Sequence, residues 1–307
     1  MESSGCGAVG SALRWGCRGR KFKSCHPDQE TMNAISVNNL TKTFGQLAAL
    51  DRVSFDVTAG SITGFLGPNG AGKSTTINVL LGFLNASSGQ VKIFDRDVSV
   101  HEIGTRRSLG SLSNNFSLDK SLTVRQELEY LGNLSGKYDQ AVTEKLAERL
   151  SLDMGAKIGG LSTGNYQKVG LVSALQSKPK LLILDEPTNG LDPLVQAEFN
   201  KLIRELNVEG TTVFISSHIL SEISELCEEF IFIKKGRIAA QMTRQEIDAQ
   251  SGQVLNVKPT RENRAKILNF LSKNQINYSI ETGDLEQTFM EFYDHDLPKQ
   301  NRKDDRA

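Results

Sequence analysis

Gly67-Pro68-Asn69-Gly70-Ala71-Gly72-Lys73-Ser74-Thr75 is the stretch that decides the fold. It follows the apolar, strand-like Ser61–Leu66 and runs into the helix-like Thr76–Leu84. This is the pattern G-x-x-x-x-G-K-[ST] in a strand–loop–helix context, the phosphate loop or P-loop. Glycines without Cβ atoms let the backbone wrap until successive N–H groups point at phosphate oxygens. The following helix start adds partial positive charge. Lys73 then supplies a point charge to β- and γ-phosphates, and the Ser74 hydroxyl is placed to ligate Mg²⁺. The competing reading is a glycine turn before a helix with an incidental surface lysine. The number of defined positions in the right context argues against it.

Working outward, Leu181-Leu182-Ile183-Leu184-Asp185-Glu186 is an apolar strand ending in two carboxylates, the form of a Walker B element. A parallel sheet brings such strand ends to its carboxyl edge, where α/β proteins bind ligands. We read Asp185 as the Mg²⁺ residue, acting through water, and Glu186 as the general base that polarises the attacking water. The plainer alternative is a solvated strand end. Leu181–Leu184 and Val213–Ile215 are short continuous apolar runs suited to a parallel sheet covered on both faces. Between them, Asp192 caps a predicted helix with Pro193 at its first position. Val195, Phe199, Leu202 and Leu206 form its apolar stripe, and Gly210 ends it. The fold class is therefore α/β. Ile35–Val37, Val53–Val57 and Val91–Phe94, set among Gly, Asp and Asn, read as antiparallel strands.

The 307 residues carry 36 basic and 36 acidic side chains, a net charge of +0. Duplex-binding proteins draw affinity from a basic surplus that neutralises phosphates, so no nucleic-acid partner is expected. No run approaches the ~18–20 apolar residues of a membrane-crossing helix. The oiliest segments, Val79–Leu84, Leu181–Leu184 and Phe230–Ile233, are of core length. Four cysteines in so long a chain read as reduced thiols of a cytosolic protein. Residues 1–31 mix Gly, Ser, Arg and Lys without a period and are expected to be a disordered tail. They lack a secretory h-region; their cysteines and His26 are metal-ligating types, but Cys17 and Cys25 lack the close pairing of a zinc ribbon, so a solvated tail is the expected reading. Patterned sequence begins after Met32, a candidate translation start. Near Gly236 the pattern turns polar, with a helical stretch over Glu262–Leu271 and a charged end from Asp294 to Ala307. We place a domain boundary there.

A P-loop and Walker B alone leave many nucleotide-binding families open. Leu161-Ser162-Thr163-Gly164-Asn165 narrows them, because it resembles the LSGGQ signature of ATP-binding-cassette (ABC) ATPases. Walker B follows at the family's usual distance, then the D-loop-like Gly190-Leu191-Asp192 and the switch-like His218. The resemblance covers most of Ala34 to Gly236. It implies an ABC ATPase core over 32–236, with a parallel sheet, an antiparallel β subdomain and a helical subdomain about 115–175, and a small α+β appendage over 237–307. It implies ATP and Mg²⁺ as ligands, with Gly67 to Thr75 around the phosphates. It also implies a head-to-tail homodimer or paired cassette, in which Ser162 and the N–H groups of Thr163 and Gly164 reach the γ-phosphate held by the partner. Phe44 falls where the family stacks an aromatic residue on adenine, with an ordinary core phenylalanine as the alternative. His218 falls where a switch histidine meets the γ-phosphate. Asn114 stands where a Q-loop glutamine that contacts nucleotide and Mg²⁺ is usual, and Thr163 and Asn165 replace a glycine and a glutamine of the signature. Asn114 keeps the carboxamide on a shorter stem, so slowed or retuned hydrolysis is expected.

Ile219–Phe230, with Ile223, Leu226 and Cys227 on one helical face, then Lys234-Lys235-Gly236-Arg237-Ile238 and Asp284-Leu285-Glu286-Gln287-Thr288-Phe289, resemble the cassettes of small bacterial ABC exporters. Their membrane subunits are separate proteins. The resemblance implies a cytoplasmic ATPase, peripheral on the inner face of the cell membrane, that drives export of a drug, antibiotic peptide or polysaccharide through an integral-membrane subunit. The region Asn114–Leu122 would touch that subunit. Two alternatives are a soluble ABC protein of DNA repair or translation, and a nucleotide-sensing module that binds without hydrolysis. The first usually has two cassettes or a long coiled-coil insertion, neither present here. Intact Glu186 and His218 argue against the second.

Overall fold

The computed structural model describes residues 32–98, 109–136, 138–250 and 263–273. Strand β1 (Asn33–Phe44) folds back on β2 (Leu47–Thr58) through a tight turn in which Gly45 has φ +58°. Adding β4 (Ser88–Ile93) and β5 (Arg96–Asp97) gives an antiparallel sheet of order β2-β1-β4-β5. The second sheet contains β3 (Ile62–Leu66), β6 (Leu109–Leu112), β7 (Leu181–Asp185), β8 (Thr212–Ser217), β9 (Glu229–Lys234) and β10 (Arg237–Thr243). Its order is β10-β9-β3-β8-β7-β6, parallel throughout except for the β9–β10 pair.

The continuous apolar runs are explained by burial on both faces: every residue of β3, β7 and β8 is buried. Alternation sorts them. Leu181 and Ile183 join Phe214, Phe65 and Phe55 in a core shared with the antiparallel sheet and with α1 (Lys73–Leu80). The Phe65–Phe214 and Phe55–Phe214 ring centroids lie 5.2 and 5.8 Å apart, contacts that add to area burial. Leu182, Leu184, Val213 and Ile215 point the other way, into the larger core. There they meet Phe199, Leu202 and Ile203 of α5 (Pro193–Val208), the crossover helix, whose Asp192 cap accepts from Val195 N at 3.0 Å.

The larger core also gathers the helices α2 (Val124–Ser135), α3 (Gln140–Arg149) and α4 (Thr163–Leu175), through Leu128, Leu146 and Val169. A capping box of Thr123 and Gln126 starts α2, and Asp139 caps α3. Arg149 at the end of α3 bonds Glu198 at 2.6 Å and both carboxylate oxygens of Glu205, tying this helical region to α5.

Three expectations are modified. The boundary expected at Gly236 falls inside the β9–β10 hairpin, so the sheet continues beyond it. Ile219–Phe230 is not one helix: only α6 (Leu220–Ser224) is helical, and Phe230 lies in β9, although Ile223, Leu226 and Cys227 are all buried. Burial pushes the Cys227 thiol pKa up, as expected of a packing residue. After α7 (Arg244–Gln250), the helix expected over Glu262–Leu271 is α8, Arg264–Lys273. The 1–31 tail and the Asp284–Phe289 segment lie outside the described residues.

Candidate functional site

The phosphate loop joins β3 to α1 at the carboxyl edge of the parallel sheet. Two glycines are required, Gly67 by space and Gly72 by its backbone conformation. A Cβ on Gly67 would lie 2.4 Å from the Ile233 carbonyl oxygen, and Gly72, at φ +112°, would place one 2.7 Å from Leu50. Pro68, Asn69, Gly70 and Ser74 are exposed, Thr75 is half-buried, and Ala71 is buried against the β9–β10 turn, where its carbonyl accepts from Gly236 N at 2.8 Å. No side chain caps the start of α1, which leaves its first N–H groups facing the loop.

Lys73 is 5% exposed, and its Nζ lies 2.7 Å from the Gly67 carbonyl oxygen and 3.1 Å from Glu186 Oε1. Glu186 adopts φ +52°, a left-handed conformation unusual for a residue with a Cβ. Its N–H is fixed by Ser216, lying 3.1 Å from the hydroxyl and 3.2 Å from the carbonyl oxygen. Its Oε2 meets His218 Nδ1 at 2.5 Å and accepts from Asn189 Nδ2 at 3.2 Å. Burial would raise the Glu186 pKa, but the bonds from Lys73 and then His218 outweigh it, and the carboxyl is held below its ordinary value. Asp185 is buried beside it and accepts from Ser216 Oγ at 2.6 Å. One buried hydroxyl thus positions both Walker B acids.

Asn114 is exposed in the turn that follows β6. Parallel pairing of Leu112 with Leu184 brings that turn to the same edge as Asp185. Phe44 ends β1 and is 48% exposed, with Lys42 Nζ 5.1 Å from its ring centroid, so it is not a core phenylalanine. Ser162 is the exposed N-cap of α4, accepting from Asn165 N at 3.3 Å. Gly164 packs so closely that a Cβ would lie 2.6 Å from the Gly190 carbonyl oxygen. The structure therefore clusters Lys73, Asp185, Glu186 and His218. Among the described residues, no hydrogen bond or ion pair joins Ser162 or Gly164 to that cluster.

Sequence reasoning missed Asn189, Ser216, Ser217, Thr188 and Glu222. Thr188 Oγ1 donates to Glu222 Oε2 at 2.9 Å, and Ser217 Oγ lies 3.1 Å from the same oxygen. Only the serine pair before His218 hints at these contacts: the partners of Thr188 and Ser216 lie some thirty residues away, and the nearby pairs Asn189–Glu186 and Ser217–Glu222 follow no local sequence pattern. Among the described residues no group of three or more His, Cys, Asp or Glu is arranged to hold a metal. A hydroxyl at Ser74 and a carboxylate at Asp185 instead fit Mg²⁺, a hard cation that keeps several waters and takes one or two protein oxygens.

Residues 50–189 match the ABC transporter family. The uncharacterised ABC transporter ATP-binding protein YdbJ of Bacillus subtilis is 34% identical over 274 residues, covering 87% of this chain and 86% of the relative. The chain belongs to the ABC transporter family. It is similar, at 35% identity over 76% of its length and 78% of the relative's, to the bacitracin transport ATP-binding protein BcrA of Bacillus licheniformis. A dimeric structure of a bacterial ABC transporter cassette superposes with a TM-score of 0.63 at 25% identity, covering 68% of this chain and 98% of the other. The two sheets and the helical region are thus those of an ABC ATP-binding subunit. None of the described helices is long and apolar enough to cross a membrane.

Proposed function

We propose that this ABC ATP-binding subunit binds Mg-ATP at the Lys73 cluster, pairs with a second cassette across the nucleotide, and hydrolyses ATP to drive export through a separate integral-membrane subunit. The observation that carries the hydrolytic reading is the convergence of Lys73 and His218 on the buried Glu186 carboxylate. Lys73 turns from Glu186 to the β- and γ-phosphates, helped by the N–H groups from Gly67 to Thr75. Glu186, released from Lys73 and ionised, takes the proton of the attacking water. His218 holds the Glu186 carboxylate through Nδ1 and faces the γ-phosphate with the rest of its ring. Ser74, Asp185 and Asn114 would hold Mg²⁺, Asp185 through water, and the bound ion would supply charge neutralisation at the phosphates. Phe44, exposed at its strand end, stacks on adenine.

The second cassette supplies Ser162 and the Gly164 N–H, which among the described residues make no hydrogen bond or ion pair with this chain's own Lys73 cluster. The dimeric state of the similar cassette supports that pairing. Export, a cytoplasmic position against the inner membrane face and the separate membrane subunit are supported by the similarity to a bacitracin transport ATP-binding protein. The test is steady-state phosphate release by the purified full-length chain with and without Mg²⁺. Wild type should turn over ATP only with Mg²⁺, and Glu186→Gln should bind ATP without turnover. Undiminished hydrolysis by Glu186→Gln would refute the reading.

A further inference from the structure

Two carboxylate oxygens in this region are each approached by two side chains, and the two sets are neighbours in sequence. Glu186 Oε2 receives Asn189 Nδ2 at 3.2 Å and His218 Nδ1 at 2.5 Å. Glu222 Oε2 receives Thr188 Oγ1 at 2.9 Å and Ser217 Oγ at 3.1 Å. Thr188 directly precedes Asn189, and Ser217 directly precedes His218. Thr188 and Ser217 are 5% and 1% exposed, so neither hydroxyl has bulk water as an easy substitute. Among the described residues, Glu222 makes no hydrogen bond or ion pair with Lys73, Glu186 or His218.

We propose that Glu222 is a positioning residue for ATP hydrolysis, its single oxygen clamping the loop after β7 to the last residue of β8 so that Asn189 and His218 meet on Glu186. A hydrogen bond to a charged acceptor is about twice as strong as a neutral one, which suits a clamp between a loop and a strand end that lie beyond the last β7–β8 ladder pair, Asp185–Ser216. The Ile219 N–H and carbonyl oxygen each lie 3.0 Å from Ser217 Oγ, so the serine hydroxyl is also oriented by the residues that follow it and shares its proton between the Ile219 carbonyl and Glu222. A helix-capping role for Glu222 is a weaker account. It sits in the first turn of α6, yet both its hydroxyl partners lie outside that helix.

The proposal rests on the hydrolytic reading of the site, and two readouts separate the two ideas. In the full-length chain, Glu222→Ala should lower kcat for ATP about 10- to 100-fold, the scale of a displacement near 1 Å at a reacting group. KM should stay within about twofold, because phosphate binding does not use Glu222. Glu222→Gln keeps an acceptor oxygen and should recover kcat to within about threefold of wild type, since neutral acceptors retain part of the bond. The second readout is the His218 imidazole ¹H–¹⁵N signal at fixed pH, assigned with His218→Asn. It should move in Glu222→Ala and in Thr188→Val, and stay in place in Glu222→Gln. An inactive wild type would overturn the hydrolytic reading while leaving the imidazole signal to decide the clamp. An unmoved signal in both Glu222→Ala and Thr188→Val, or Glu222→Gln as slow as Glu222→Ala, overturns the proposal. Thr188→Val serves if Glu222→Ala does not fold.

Discussion

Glu186→Gln should tighten ADP binding as well as stop turnover, because the carboxylate and the phosphates compete for one ammonium group. Lys73 Nζ is shared between the Gly67 carbonyl oxygen at 2.7 Å and Glu186 Oε1 at 3.1 Å, in a pocket where both side chains are nearly buried. A phosphate that takes Lys73 must replace the second of these. Both acceptors bond a charged donor, but only glutamate adds the opposite charge; within the ~1.5–3 kcal/mol range of bonds to charged groups, the ion pair takes the upper end, ~3 kcal/mol, and the ammonium–amide bond the lower, ~1.5–2 kcal/mol. The difference, about 1–1.5 kcal/mol, corresponds to roughly five- to twelvefold tighter ADP binding. Removing a negative charge next to the phosphates acts in the same direction. ADP is the right ligand because its affinity is not confounded by hydrolysis. Titration calorimetry of Mg-ADP into wild type and Glu186→Gln at matched salt measures the ratio. Equal or weaker binding by the variant would refute the competition.

Four further outcomes follow from named contacts. Lys73→Ala should weaken ATP binding by at least the ~1.5–3 kcal/mol of one charge-assisted bond, read by equilibrium binding of a fluorescent ATP analogue. Gly164→Ala should cost about 1–3 kcal/mol in urea unfolding, since its Cβ meets a backbone oxygen 2.6 Å away that no rotamer change can remove. Asn114→Gln should raise kcat by restoring the reach of the carboxamide, and an unchanged rate would show that the shorter side chain already suffices. Glu186, whose pKa is lowered in the fold from an ordinary 4.5, should contribute stability that is complete above pH 4.5 and is lost as pH falls below it toward the folded value. Thermal melts of wild type should therefore lose more stability in that acid window than melts of Glu186→Gln.

The parts of this molecule that could be read from sequence are those encoded by short-range pattern. Leu181–Asp185 and Val213–Ile215 announce buried strands because a strand covered on both faces needs no polar residues. Asp192-Pro193 announces a helix start because both residues act on groups within one turn. Strand β10 was not legible for the opposite reason. At the sheet edge its residues alternate between exposed and half-buried, so Arg237–Thr243 lacks an apolar run and reads as the end of a domain. In Ile219–Phe230 the spacing of Ile223, Leu226 and Cys227 mimics a helix face, but Leu226 and Cys227 are buried from a loop that leads directly into β9. The Glu222 contacts span 34 and 5 residues, and no local pattern marks carboxylate and hydroxyl as partners.

The acidic pair shows how chemistry depends on register in the core. Holding Glu186 at φ +52° costs about 1–3 kcal/mol, so the conformation persists only where several contacts over-determine it. Ser216 supplies the decisive ones, since it meets both Glu186 N and Asp185 Oδ1. It does so because Asp185 pairs with Ser216 across β7 and β8. That pairing is fixed four residues earlier, where Leu181 and Ile183 enter one core and Leu182 and Leu184 the other. A slip of one residue would exchange the two faces of β7 and carry Ser216 away from both acids. The carboxylate that meets Lys73 and His218 is therefore held in place by the alternation of four aliphatic side chains in the strand that leads into it.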